Sequence, residues 1–245
     1  MENLAVELAT AAYDEPNVEA GKMETIVKAQ PYEFRFEPAS TALLIIDMQR
    51  DFVLPGGFGE MLGNNVALLK PAIEPTRQVL EAFRRKHLAV LHTREGHRPD
   101  MSDCPPTKRA RGRLKIGIGD QGPMGRVLIR GERGHGIIER LEPLLSEPVI
   151  DKPGKGAFFA TDLELILKNL GIRSLVVAGV TTEVCVQTTV REANDRGYEC
   201  LVLEDCVASY FPEFQRAAID MIKAQGGIVG WVSTSDELLK VLAGT

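Results

Sequence analysis

Cysteine is scarce, long apolar runs are missing and positive charge is nowhere concentrated, and each shortage removes a class of protein. Four cysteines (Cys104, Cys185, Cys200, Cys206) in 245 residues, with no C-x-x-C pair, make neither a disulfide framework nor a zinc or redox pair. Free thiols suit a reducing compartment, so a cytoplasmic protein is expected. No apolar run approaches the ~18 residues that a membrane span needs. The opening stretch MENLAVELATAAYDEP lacks the basic start and apolar core of a secretory signal. The formal net charge is -5, and the densest basic stretch, RARGRLK (109–115), reads as a solvated loop. No nucleic-acid partner and no membrane partner are therefore expected.

What is present is the pattern of an α/β protein. Short apolar runs recur at TALLIID (41–47), LAVLHT (88–93), PVID (148–151), SLVVAGV (174–180), ECLVLED (199–205) and GIVGWV (227–232). Such runs suit strands buried on both faces of a parallel sheet. Helical periodicity fills the gaps at 66–86, 161–171, 183–197 and 213–227, and three of these segments end at a glycine. The alternation predicts a doubly wound, three-layer αβα sandwich on a mostly parallel six-stranded sheet. Residues 1–38, polar and proline-punctuated, read as an N-terminal arm, and residues 39–245 as a single domain. Cys200 and Cys206 flank LVLED and read as small hydrophobes at the ends of a buried strand.

In such folds ligands bind beyond the carboxyl ends of the strands. Three chemically distinct residues fall there: Asp47 closing TALLIID, Lys152 closing PVIDK, and Cys185 at the helix start after SLVVAGVTTEVC. Each has a bland reading, as a cap, a solvated turn and a core thiol respectively. Together they offer a proton acceptor, a fixed cation and a nucleophile. A thiol at a helix start is expected to have its thiolate favoured by the dipole and a nearby cation. The Gly179-Val180-Thr181-Thr182 turn before it suits backbone N–H groups aimed at an oxyanion, or a plain helix cap. GIGDQG (117–122) matches a dinucleotide fingerprint, but Pro123 follows where a helix should open, so no nucleotide is expected.

The segments IIDMQRDF (45–52), DKPGKGAFFATDLELIL (151–167) and GVTTEVCVQTTVREANDRGYE (179–199) resemble the isochorismatase-like cysteine hydrolases, over residues of about 31 to 242. The resemblance implies a catalytic triad of Asp47, Lys152 and Cys185. It also implies a cis peptide at Val180–Thr181 and an oxyanion hole from the N–H groups of Thr181 and Cys185. Nicotinamidases of this family hold zinc through an Asp-x-His and a further His. No Asp-x-His follows IIDMQRDF, so neither a metal nor another cofactor is expected. The vinyl-ether-cleaving branch needs no nucleophile, and Cys185 argues against it. Within the family, HTREGHRPD (92–100), GIGDQGPMGRVLIRGE (117–132), REANDRGYECLVLEDC (191–206) and AQGGIVG (224–230) are most similar to the biuret hydrolase branch. That similarity implies hydrolysis of the terminal amide of a small ureide, biuret to allophanate and ammonia, with a homotetrameric assembly. Ureidoacrylate and N-carbamoylsarcosine amidohydrolases are the neighbouring alternatives. Expected substrate contacts are Gln225, implied by the resemblance, the apolar walls Phe52, Phe158 and Phe159, and Arg94. Were Arg94 or Arg98 to face the pocket, a carboxylate-bearing ureide would be favoured; a structural or interface role for both suits neutral biuret.

Overall fold

A computed structural model describes residues 24–109 and 116–244, so most of the basic stretch at 109–115 and the first part of the expected arm, 1–23, lie outside the described residues. In chain order come β1 (Thr25–Val27), β2 (Phe34–Phe36), β3 (Thr41–Ile46), α1 (Arg50–Val53), α2 (Phe58–Met61), α3 (Ile73–Arg85), β4 (Ala89–Glu95) and α4 (Pro106–Arg109). A small hairpin, β5 (Gln121–Gly122) and β6 (Gly125–Arg126), precedes β7 (Val149–Lys152), α5 (Leu163–Asn169) and β8 (Ser174–Val180). The chain closes with α6 (Gln187–Asp195), β9 (Glu199–Ala208), α7 (Pro212–Gly227), β10 (Trp231–Ser233) and α8 (Ser235–Gly244). The six expected runs form one parallel sheet in the order β10-β9-β8-β3-β4-β7.

All six residues of β3 are buried, which is why its run reads as continuously apolar. Strand alternation divides them between two cores. Leu43 and Ile45 join the core that includes Val79, Leu80 and Phe83 of α3 and Leu238 and Leu242 of α8. Ala42, Leu44 and Ile46 join the core built with Leu163 and Leu167 of α5, Val190 and Ala193 of α6 and Ile219 and Ile222 of α7. Helices thus cover both faces, giving the expected three layers.

Two local details differ from expectation and a third follows it. Residues 25–36 of the expected arm pair as the antiparallel hairpin β1–β2 and enter the first core through Val27, Phe34 and Phe36. Burying each such side chain contributes about 1.5–3 kcal/mol, enough to hold a short hairpin that could not stand alone. The helix expected over 66–86 divides at its internal prolines into a 3-10 stretch, Val66–Ala72, and α3. GIGDQG leads into the β5–β6 hairpin, not a helix, as its Pro123 foretold.

Candidate active site

β3, β4, β7 and β8 are neighbours in the sheet, so their carboxyl ends share one hollow. Asp47 follows β3 directly and holds a left-handed backbone (φ 52), a conformation that non-glycine residues adopt sparingly and often at functional sites. Its Oδ1 accepts a hydrogen bond from Thr93 Oγ1 at 2.6 Å, and its Oδ2 lies 2.7 Å from Lys152 Nζ. Both partners of that ion pair are fully buried. Lys152 Nζ also donates to the carbonyls of Gly154 (3.1 Å) and Lys155 (2.9 Å), so the ammonium has three oxygen partners. Burial works against the charge of Lys152, but Asp47, Cys185 and Glu95 outweigh it and raise the pKa.

Cys185 is delivered by a π-helical turn, Thr182–Val186, between β8 and α6; such bulges are frequent at functional sites. The turn follows the cis peptide Val180–Thr181. It also requires Gly179, whose φ is 117 and where a Cβ would stand 2.0 Å from the carbonyl oxygen of Ile46. No side chain fits between β8 and β3 there. Cys185 is buried, and its Sγ points to Glu95 Oε2 at 3.8 Å. The thiol differs from expectation: burial pushes its pKa well above the ordinary value, Asp47 and Glu95 push the same way, and Lys152 and Lys155 oppose them. The resting sulfur is a thiol that needs a base, because desolvation outweighs the neighbouring ammonium groups.

Glu95 is the member of the cluster that the motifs passed over. It ends β4 opposite Lys152, in register with it, and is fully desolvated. Lys155 Nζ binds both its oxygens (2.7 and 2.9 Å) and Lys108 Nζ binds Oε1 (2.9 Å). Burial opposes ionisation of Glu95, yet Lys155, Lys152 and Lys108 hold its pKa down to about 2. Gln49 of the IIDMQ segment fixes this strand end, accepting from Glu95 N (2.7 Å) and donating to the Glu95 carbonyl (2.9 Å). The strand-end rule that selects Asp47 also selects Glu95 in HTRE. Donor atoms of Asp47, Glu95 and Cys185 lie within 4.8 Å of one another. Lysine ammonium groups already supply the countercharge to both carboxylates.

The expected substrate contacts scatter. Phe159 is exposed and lines a cavity of about 720 Å³ with Phe58, Lys108, Leu128 and Lys155, the two lysines that hold Glu95. Phe52 is half-buried against the first core, and its carbonyl accepts from Tyr210 Oη at 2.7 Å. Phe158 is instead part of the second core, stacked on Tyr198 under Arg196 beyond the end of α6, because the Phe158 N–H is tied to Glu192. Arg94 alternates with Glu95 along β4 and makes a bidentate pair with Asp151 (2.7 and 3.0 Å), a structural role. Gln225 sits, exposed, where α7 breaks (φ 52), beside Gln30 and Pro31 and shortly before Gly230 packs on the Cys200 carbonyl at the start of β9. Since α7 runs back antiparallel to the strands, this is the opposite edge of the sheet from Cys185 in the same chain.

Solved structures share this architecture. A cysteine hydrolase from Pseudomonas syringae pv. phaseolicola 1448A superposes with a TM-score of 0.72 at 24% identity, covering 89% of this chain and 97% of that one. An isochorismatase family protein from Desulfovibrio vulgaris subsp. vulgaris str. Hildenborough gives 0.68 at 27% identity, covering 83% and 98%. N-carbamoylsarcosine amidase from Thermoplasma acidophilum gives 0.60 at 26% identity, covering 81% and 98%. The isochorismatase domain is matched over residues 41–237, from the first strand of the sheet into the last helix. The chain belongs to the isochorismatase family.

Proposed function

We propose that the protein is a thiol-dependent amidohydrolase that cleaves the terminal C–N bond of a small ureide, with Asp47, Lys152 and Cys185 as the catalytic groups. The observation that carries the reading is the buried thiol of Cys185, held within 4.8 Å of two carboxylates whose charges are balanced by lysines. A protonated thiol beside an anchored carboxylate suits a nucleophile activated at the moment of reaction.

Asp47, held by Thr93 and Lys152, takes the proton from Sγ, and the sulfur attacks the amide carbonyl. The N–H groups of Thr181 and Cys185 receive the oxyanion; losing one such donor raises a barrier by about 3–4 kcal/mol. Asp47 returns the proton to the leaving nitrogen, which departs as ammonia and leaves a thioester. Water, activated by the same carboxylate, then attacks the thioester and frees the acid and the thiol. Lys152, fixed by three oxygen partners, holds Asp47 in place between steps. The segments HTREGHRPD and REANDRGYECLVLEDC favour biuret as substrate, and the commitment of Arg94 to Asp151 fits a neutral one. The homotetramer belongs to the same proposal and is read by sedimentation equilibrium.

Ammonia release from biuret, ureidoacrylate, N-carbamoylsarcosine and nicotinamide tests the function. Turnover of one ureide, abolished in Cys185→Ala, and an acyl adduct on Cys185 seen by mass spectrometry are the expected results. Full turnover by Cys185→Ala, or no ammonia from the whole panel, overturns the reading.

A further inference from the structure

Lys108 lies on a one-turn helix, α4, far along the chain from the Asp47, Lys152 and Cys185 motifs, yet its ammonium is spent wholly at the candidate site. Its Nζ donates to Glu95 Oε1 (2.9 Å) and to the Pro153 carbonyl (2.6 Å), and lies 3.0 Å from His97 Nε2. Three acceptors thus meet three N–H bonds. His97 accepts from the ammonium on Nε2 and faces Asp103 Oδ1 with Nδ1 at 3.2 Å, so its single proton belongs on Nδ1. Burial, then the Lys108 charge, lower the pKa of His97 and keep it neutral in this role.

The consequence falls on the sulfur. Glu95 Oε1 takes both Lys108 and Lys155, and Oε2, which Lys155 also binds, is the oxygen turned to Cys185 Sγ. A thiolate 3.8 Å from a bare carboxylate would be strongly disfavoured in a desolvated site. Around the sulfur the ammonium groups of Lys152, Lys155 and Lys108 meet the carboxylates of Asp47 and Glu95, leaving one positive charge for a thiolate to cancel. The Tyr210 phenol also stands near, and it in turn faces Glu183 of the thiol's own turn.

We propose that Lys108 is a positioning residue for the nucleophile: it pins Glu95 in one rotamer and cancels its charge, so that Cys185 can ionise. Lys155 shares the task and binds both Glu95 oxygens, the one facing Sγ included, while Lys108 adds a second, less exposed cation on Oε1 (side chains 48% and 20% exposed). The inference rests on the reading of Cys185 as the nucleophile.

The test is the rate at which chloroacetamide, a small amide electrophile, alkylates Cys185 in the full chain between pH 7 and 9.5, followed by peptide mass spectrometry. Lys108→Gln should slow alkylation about tenfold or more throughout this range, Lys108→Arg should stay within about threefold of the parent, and Lys155→Gln should slow it as well. A merely structural role would loosen α4 and expose the sulfur, giving an unchanged or faster rate, and either result overturns the proposal. Should Lys108→Gln not fold, Lys155→Gln carries the same sign and the same refutation. The ammonia panel on the parent chain separates the two ideas. A silent panel with a slowed Lys108→Gln sinks the amidohydrolase reading alone, whereas an active parent with an unchanged Lys108→Gln sinks this one alone.

Discussion

Replacing Lys152 by methionine removes one partner of a fully buried ion pair while keeping most of the unbranched side chain. Asp47 then keeps its hydrogen bond from Thr93 Oγ1 but loses the ammonium at 2.7 Å, and the carbonyls of Gly154 and Lys155 lose a donor. Breaking a buried pair from one side costs about 3–5 kcal/mol because the remaining charge is desolvated and uncompensated. The two orphaned carbonyls push the cost toward the upper end. For a chain of this size that corresponds to a fall in Tm of roughly 6–20 °C. The assay is urea unfolding at pH 7.5 for Lys152→Met, Asp47→Asn and the double variant, at one protomer concentration, since assembly would add to apparent stability. The double variant, which removes both charges, should be less destabilised than the sum of the singles by about 2 kcal/mol or more. A loss under about 1 kcal/mol in Lys152→Met, or singles that simply add, would show that the pair carries no buried charge worth compensating and would refute the reasoning.

Two further outcomes follow from the same geometry. Gly179→Ala should not accumulate as folded protein, because its Cβ would stand 2.0 Å from the Ile46 carbonyl oxygen on a backbone at φ 117; solubility and circular dichroism of the purified variant decide it. Glu95 has its folded pKa held at about 2, below the ordinary 4.5, so its contribution is present above about pH 4.5 and is lost as pH falls toward 2. That depression is worth about 3 kcal/mol, and urea midpoints between pH 7 and 3 should fall less steeply for Glu95→Gln than for the parent; parallel acid limbs would contradict the assignment.

The fold and the residues that meet at the strand ends were legible in the chain for a local reason. A strand buried on both faces must be a continuous apolar run, and the residue that ends it is carried to the sheet's carboxyl edge whatever the rest of the molecule does. TALLIID, PVIDK and SLVVAGV therefore announce Asp47, Lys152 and the approach to Cys185 without any tertiary knowledge. The same rule reaches Glu95 at the end of LAVLHTRE, a residue hidden only by the more conspicuous arginine beside it.

Other properties depend on distances between segments, and no local pattern encodes them. The acidity of Cys185 follows from desolvation by burial in the second core, which reverses the sign expected from a helix start and nearby lysines. The place of Gln225 follows from the direction of α7, which carries it to the edge of the sheet opposite the thiol. Phe158 and Phe159 are adjacent in sequence, yet one enters the core on Tyr198 and the other lines the cavity. Lys108, in an irregular stretch without periodicity, reaches Glu95 only because the loop after β4 folds back over the strand ends. Hydrophobic periodicity, a property of neighbours along the chain, determined the layers and three of the charged groups. Burial and charge balance, properties of neighbours in space, were decided by the tertiary structure alone.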